Sequence, residues 1–230
     1  MSEPSVTRAF NSSVLPKLAE IGFIRLGGKR YARLRNDVCQ FLFLHVESRI
    51  KREFMLEYST ILICQPHDVQ VLDPGGKFPY GKNGRWYPAH REARLAESVG
   101  LVAEQVPKTL IPWYERSITI PGFIDTYSGY LEENPHLARN GHSEFTVACA
   151  HARTSDAHSA AAHAEKAIID YERIYDQRPA CEWAKDGAGR CRRLLDSLAQ
   201  STTDTLFAQW RSHTIESLKL AALIGPAKKG

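Results

Sequence analysis

The sequence predicts an α+β protein: an N-terminal helix on a four-stranded antiparallel sheet, followed by an all-helical C-terminal half. Three observations predict it. Residues 23 to 64 hold short runs rich in aromatic and β-branched residues, separated by turn chemistry such as Gly27-Gly28 and Asn36-Asp37. Ahead of them, Val6, Phe10, Val14, Leu18 and Ile21 recur at spacings of three and four, which lays one apolar stripe along a helix. From His90 onward the pattern is helical and stays so.

The first helix is expected to start near Ser5 and to stop at Gly22. Pro16 falls inside the stripe, so it should kink the helix or restart it with Ser13 as the N-cap. Four strands follow: Phe23 to Leu26, Tyr31 to Leu34, the unbroken apolar run Phe41 to Leu44, and Phe54 to Cys64. The third run is apolar on both faces, which predicts a central strand covered on both sides. In the fourth, Phe54, Leu56, Tyr58 and Thr60 alternate with Met55, Glu57 and Ser59, the pattern of a half-covered neighbour. Residues 65–90 carry no periodicity and are punctuated by Pro66, Pro74, Pro79 and Pro88, so they are expected to form a long loop. Helices are expected near 90–106, 108–117, 121–133, 143–153, 156–176, 183–199 and 202–222. The division is then an α+β sheet domain over 1–117 and a helical region over 118–230, either separate or packed on the first as one body.

Composition narrows the class. Of the 230 residues, 43% are hydrophobic and 24% charged, ordinary values for a globular protein. No apolar run is long enough to span a membrane, and Met1-Ser2-Glu3-Pro4 lacks the basic and apolar regions of a signal peptide. The five cysteines are scattered, with no CxxC pair, which fits reduced thiols and a cytoplasmic location. The net charge of +4 is uneven: residues 1–95 hold 15 Lys and Arg against 9 Asp and Glu, so the front half carries the basic surplus.

The order of features resembles a bacterial family catalogued as domain of unknown function 4304. The likeness covers about residues 5–117. It rests on Leu18 to Phe23 closing a helix, the basic aromatic strand Lys29 to Leu34, a strand ending in Glu47-Ser48-Arg49, another beginning at Phe54, and Ile111-Pro112-Trp113-Tyr114-Glu115 further on. Where that family has Gln before Ser, this chain has Glu47. The resemblance implies no catalytic residues; by analogy it implies an immunity or interaction protein. In the second half, Asp156, Ala160, Ala164 and Ala167, with Ala148 and His151 before them, are similar to the small positions of a tetratricopeptide-like helical hairpin.

Several chemistries are weighed on residue patterns. Gly76 to Asn83 differs from a phosphate-binding loop at its last position, where Asn83 has no hydroxyl for Mg²⁺, and the neighbouring prolines deny the helix such a loop needs. Phe78, Tyr80, Trp86 and Tyr87 are interleaved with Lys77, Lys82, Arg85 and Arg91. That mixture suits a protein partner, a nucleic acid, or aromatics folded back over the sheet. His142, His151, His158 and His163 lack metal-ligand spacing, and no metal or cofactor is expected. Cys181 and Cys191 are near enough in sequence to meet across a loop. Strand pairing is expected to bring His45 or Glu47 near Glu57, either for proton transfer or as a cross-strand ion pair.

The sequence therefore favours a bacterial cytoplasmic interaction or immunity-type protein without catalysis, binding a protein partner. A nucleic-acid-associated role is the alternative and a small-molecule enzyme the third reading. The expected contact residues are Arg49, Lys51, Arg52, Lys77, Tyr80, Lys82, Arg85, Trp86, Tyr87 and Arg91. The partner's identity and the oligomeric state are not encoded in any feature above.

Overall fold

The computed structural model describes residues 5–47, 53–69, 73–78, 86–137 and 141–224. The chain forms two compact units, one made of Met1–Ile61, Val71–Ile118 and Lys219–Gly230, the other of Leu62–Gln70 and Thr119–Leu218.

In the first unit the predicted opening helix is two helices, α1 (Val6–Ser13) and α2 (Leu15–Ala19). Ser5 caps α1 as its side chain accepts from the Arg8 amide at 3.3 Å. Pro16 restarts the helix, but Val14 and not Ser13 precedes α2, and no side chain caps it. Proline fits in that first turn because its missing N–H has no partner there in any helix. Gly22 ends the element at φ +92, a conformation glycine adopts without strain.

The sheet is antiparallel throughout its described pairings, in the order β1 (Ile24–Gly27), β2 (Arg30–Arg35), β3 (Val38–Val46), β4 (Glu53–Leu62), β5 (Gly75–Phe78), with β6 (Tyr87–Pro88) also paired to β4. The expectation of four strands is corrected to six. The added pair comes from the region expected to be loop; β5 and β6 are too short and too rich in Gly and Pro to show alternation. β4 is also corrected: Met55, Ser59 and Ile61 on its second face are buried, so it is covered on both sides, with Glu57 the partly exposed exception. β3 is central as predicted, and Val38 to Leu42 are buried without a break.

One face of the sheet, bearing Tyr31, Leu42, Leu44, Phe54, Leu56 and Tyr58, joins α1, α2, α3 (Glu92–Gln105) and α4 (Ile111–Arg116) in a single core with Phe10, Leu18, Phe23, Val99, Val102 and Tyr114. A π-helical turn, Val106–Leu110, leads into α4 where Pro107 and Pro112 interrupt the regular ladder. Tyr114 is fully buried and its hydroxyl donates to the Phe41 carbonyl at 2.5 Å. Beside it lies an unusual core group, the buried Arg33 guanidinium. It donates to Gln40 Oε1 at 2.6 Å, to the Ile21 carbonyl at 2.8 Å and to Glu115 Oε1 at 2.7 Å, and it faces the Phe23 and Tyr114 rings.

The second unit is built from α5 (Ile120–Glu133), α6 (Gly141–Arg153), α7 (Ala157–Gln177), α8 (Glu182–Ala199) and α9 (Thr203–Ser217). All five lie close to their predicted positions, although α9 stops short at Leu218, after which Lys219 turns to φ 55. α7 packs against both α6 and α8. Ala148, Ala160, Ala164, Ala167 and Ala184 are fully buried there, and small side chains let helix axes approach closely. Two glycines finish the contact. A Cβ at Gly141 or at Gly187 would lie 2.6 Å from Tyr171 ring atoms, so both backbones press on one aromatic ring. Asp156 caps α7 through the Ser159 amide at 3.0 Å.

Candidate functional site

Of the ten residues expected to form the contact surface, Arg49, Lys51, Arg52, Tyr80, Lys82 and Arg85 lie outside the described residues. The other four sit along the β4 edge of the α+β unit or just beyond it. Lys77 is in β5 opposite Glu57, and Tyr87 is in β6 opposite Phe54. Trp86 immediately precedes β6, and Arg91 stands at the N-cap position of α3 without a side-chain cap bond.

These residues do different things. The Tyr87 ring stacks on Phe54 with centroids 5.0 Å apart, its buried hydroxyl is pushed up to about 12 by desolvation, and Phe78 is buried. Both therefore cover the sheet. Trp86 does not: 45% of it is exposed. Arg91 is also exposed. Gly76 and Lys77 take part in a β-ladder with Tyr58 and Glu57. A phosphate cradle needs a loop whose amides are free to converge on an anion, so the strand removes that resemblance for this stretch.

The strand pairing anticipated for acid–base chemistry is present. His45 Nε2 lies 2.7 Å from Glu57 Oε2, and Lys77 Nζ lies 3.9 Å from Glu57 Oε1. One carboxylate thus serves two basic groups on the rim of the sheet, the arrangement of a cross-strand ion pair.

The helical unit holds a second polar cluster, which the sequence did not reveal. Asp68 Oδ2 accepts from Arg190 at 2.6 Å and its Oδ1 lies 2.7 Å from His213 Nε2. The Arg190 bond, then that of His213, hold the Asp68 carboxyl below its ordinary range. Ser217 Oγ is 3.5 Å from the same nitrogen of His213. A Ser–His–Asp catalytic set needs the carboxylate on one ring nitrogen and the hydroxyl on the other, so that one orients the ring while the other gives up its proton. Here both compete for Nε2, and the set is a surface tie. The missed signal was slight: Asp68 lies 122 residues from Arg190 and 145 from His213.

The histidines of α6 and α7 pair by packing. The rings of His151 and His163 are stacked at 5.5 Å, only 5° from parallel, and each turns Nδ1 to a carboxylate, Asp156 at 3.2 Å and Glu144 at 2.6 Å. An ion bound in the plane of one ring would lie out of the plane of the other, and no metal-holding group of three or more such side chains occurs among the described residues. Cys181 and Cys191 do not meet. They stand at the start and in the middle of α8, about 15 Å apart along its axis at 1.5 Å per residue. No described helix is long and apolar enough to cross a membrane.

No known protein family, curated protein or solved structure matches the chain.

Proposed function

We propose that this chain is a non-catalytic binding protein of the interaction or immunity type, acting in the bacterial cytoplasm and gripping a protein partner through the β5–β6 edge of its α+β unit. One observation carries the reading: Trp86 projects into solvent while the nearest described aromatic residues on either side of it in the sequence, Phe78 and Tyr87, are committed to the sheet. Tryptophan is among the side chains most often responsible for binding energy at protein interfaces, and Arg91, exposed five residues further on, is of another such type. The resemblance of residues 5–117 to domain of unknown function 4304 suggests the same role by analogy.

The alternative, nucleic-acid association, rests on the same exposed indole, since bases stack on such a ring. Against it, Lys77 is shared with Glu57, which leaves less positive charge for phosphate. Catalysis is the third reading, through the His45–Glu57 pair.

The test is a partner-binding titration on the wild-type chain and the Trp86→Ala variant, repeated across a range of salt. A protein partner lost with Trp86 supports the proposal. Binding of single-stranded DNA or RNA that collapses steeply with salt replaces it by the alternative, and a partner bound equally by both chains removes Trp86 from the role.

A further inference from the structure

The stretch of residues 62–69 belongs to the helical unit yet has no helix of its own; polar contacts fasten it to three helices. Gln65 Oε1 accepts from Thr146 Oγ1 of α6 at 3.0 Å. Thr214 Oγ1 of α9 donates to the Gln65 carbonyl at 2.8 Å and accepts from the His67 amide at 3.1 Å. Asp68 holds Arg190 of α8 and His213 of α9.

His67 sits among these contacts, 4% exposed, with Nε2 3.1 Å from the Leu62 carbonyl. A carbonyl only accepts, so Nε2 carries the hydrogen and the neutral ring leaves Nδ1 unprotonated. A second proton would place a full charge inside the unit. The groups that face it there do not welcome one. From α6 comes His142, whose ring is 6.3 Å away, and from α8 comes Arg190; both are basic. The carboxylate in reach, Asp68, already serves Arg190 and the His213 that α9 presents. Desolvation first, then His142, pull His67 down to about 3, outweighing the Leu62 carbonyl and Asp68, which act the other way.

We propose that residues 62–69 form an acid-sensitive latch, seated on α6, α8 and α9 while His67 is neutral and released when that imidazole takes up a proton. The sign follows from where the proton binds. Once the stretch opens, His67 titrates as an ordinary imidazole near 6.5, whereas the seated ring stays neutral down to about 3. Between those values the open form holds more protons, so opening grows about tenfold for each pH unit below about 6.5. Release also uncouples Asp68 from Arg190 and His213.

Hydrogen exchange on the full chain tests this, with rates corrected for the intrinsic pH dependence of exchange. The protection of the His67 amide should fall about tenfold per pH unit between pH 6.5 and 5. The Ala164 and Ala167 amides of α7 should stay better protected than the His67 amide at every pH, since they open only with the whole unit, and the slope should vanish in His67→Gln. A flat profile in the wild type overturns the latch. So does an unchanged slope in His67→Gln, or protection at Ala164 and Ala167 equal to that of the His67 amide, which makes the event global. If His67→Gln does not fold, NMR of the imidazole nitrogens in the wild type decides. Nδ1 unprotonated at pH 5 in the seated form supports the latch, and an ordinary imidazole titration with the His67 amide still protected refutes it.

Discussion

The two units both bury aromatic rings, but they differ in what else fills their interiors. The α+β unit fills its interior with large rings, among them Phe10, Phe23, Tyr31, Phe54 and Tyr114, and sets one buried cation, Arg33, among them. The helical unit also buries Phe123, Tyr127 and Phe145, but where α6, α7 and α8 meet it brings backbones together over Ala148, Ala160, Ala164 and Ala167, and clamps the Tyr171 ring between Gly141 and Gly187. A core of large side chains is sensitive to what is removed from it, because each deletion leaves a cavity or an orphaned polar group. A core of close-packed backbones is sensitive to what is added. The units also differ in buried charge. The first encloses a permanent cation; the second encloses an imidazole, His67, that must stay neutral.

The sharpest contrast should come from two substitutions. Arg33→Ala strands Gln40 and the Ile21 carbonyl inside the α+β unit and should cost about 3–5 kcal/mol, as removing one partner of a buried charged group does. Gly187→Ala adds one methyl group against the Tyr171 ring and should cost about 1–3 kcal/mol. Urea unfolding followed by hydrogen exchange would locate each loss, the first in β2 and β3, the second in α7 and α8. If Gly187→Ala is neutral, the clamp does not restrain the ring and the contrast fails.

Acid should separate the units next. The unfolded chain protonates His67 near 6.5 and the folded chain only near 3, so the helical unit loses stability as pH falls through that window, in total on the order of 5 kcal/mol. The α+β unit has no buried imidazole, since His45 is partly exposed and His90 exposed, and its amides should lose less protection over the same range. The smallest effect is expected at Glu115→Gln. Glu115 is 52% exposed although it bonds the buried Arg33, so screening by water should hold the loss to about 1 kcal/mol or less, measured as a shift in the urea midpoint.

Legibility in the sequence follows the same division. Helices such as α7 were visible because their apolar residues recur at the period of the element, and β3 because its apolar run is unbroken. β5 and β6 were hidden because four and two residues are too few to show a period. Nothing set Arg33 apart from the other basic residues in the run from Lys29 to Leu34, because its partner Glu115 is 82 residues away. Tyr171 and its two glycines were equally hidden: spacing along the chain does not show which ring two distant backbones will enclose. Of the expected contact surface, the sequence marked an aromatic cluster but not which ring stays outside. That depended on Tyr87 finding Phe54.

The proposed function stands on the one ring of that cluster that, among the described residues, does stay outside. Its most direct test is the dissociation constant of the purified binding partner for the wild-type chain and for Trp86→Ala, with thermal unfolding measured alongside. We expect unchanged stability and binding weakened at least tenfold, the scale of an interface anchor. Equal affinity in the two proteins would contradict the account.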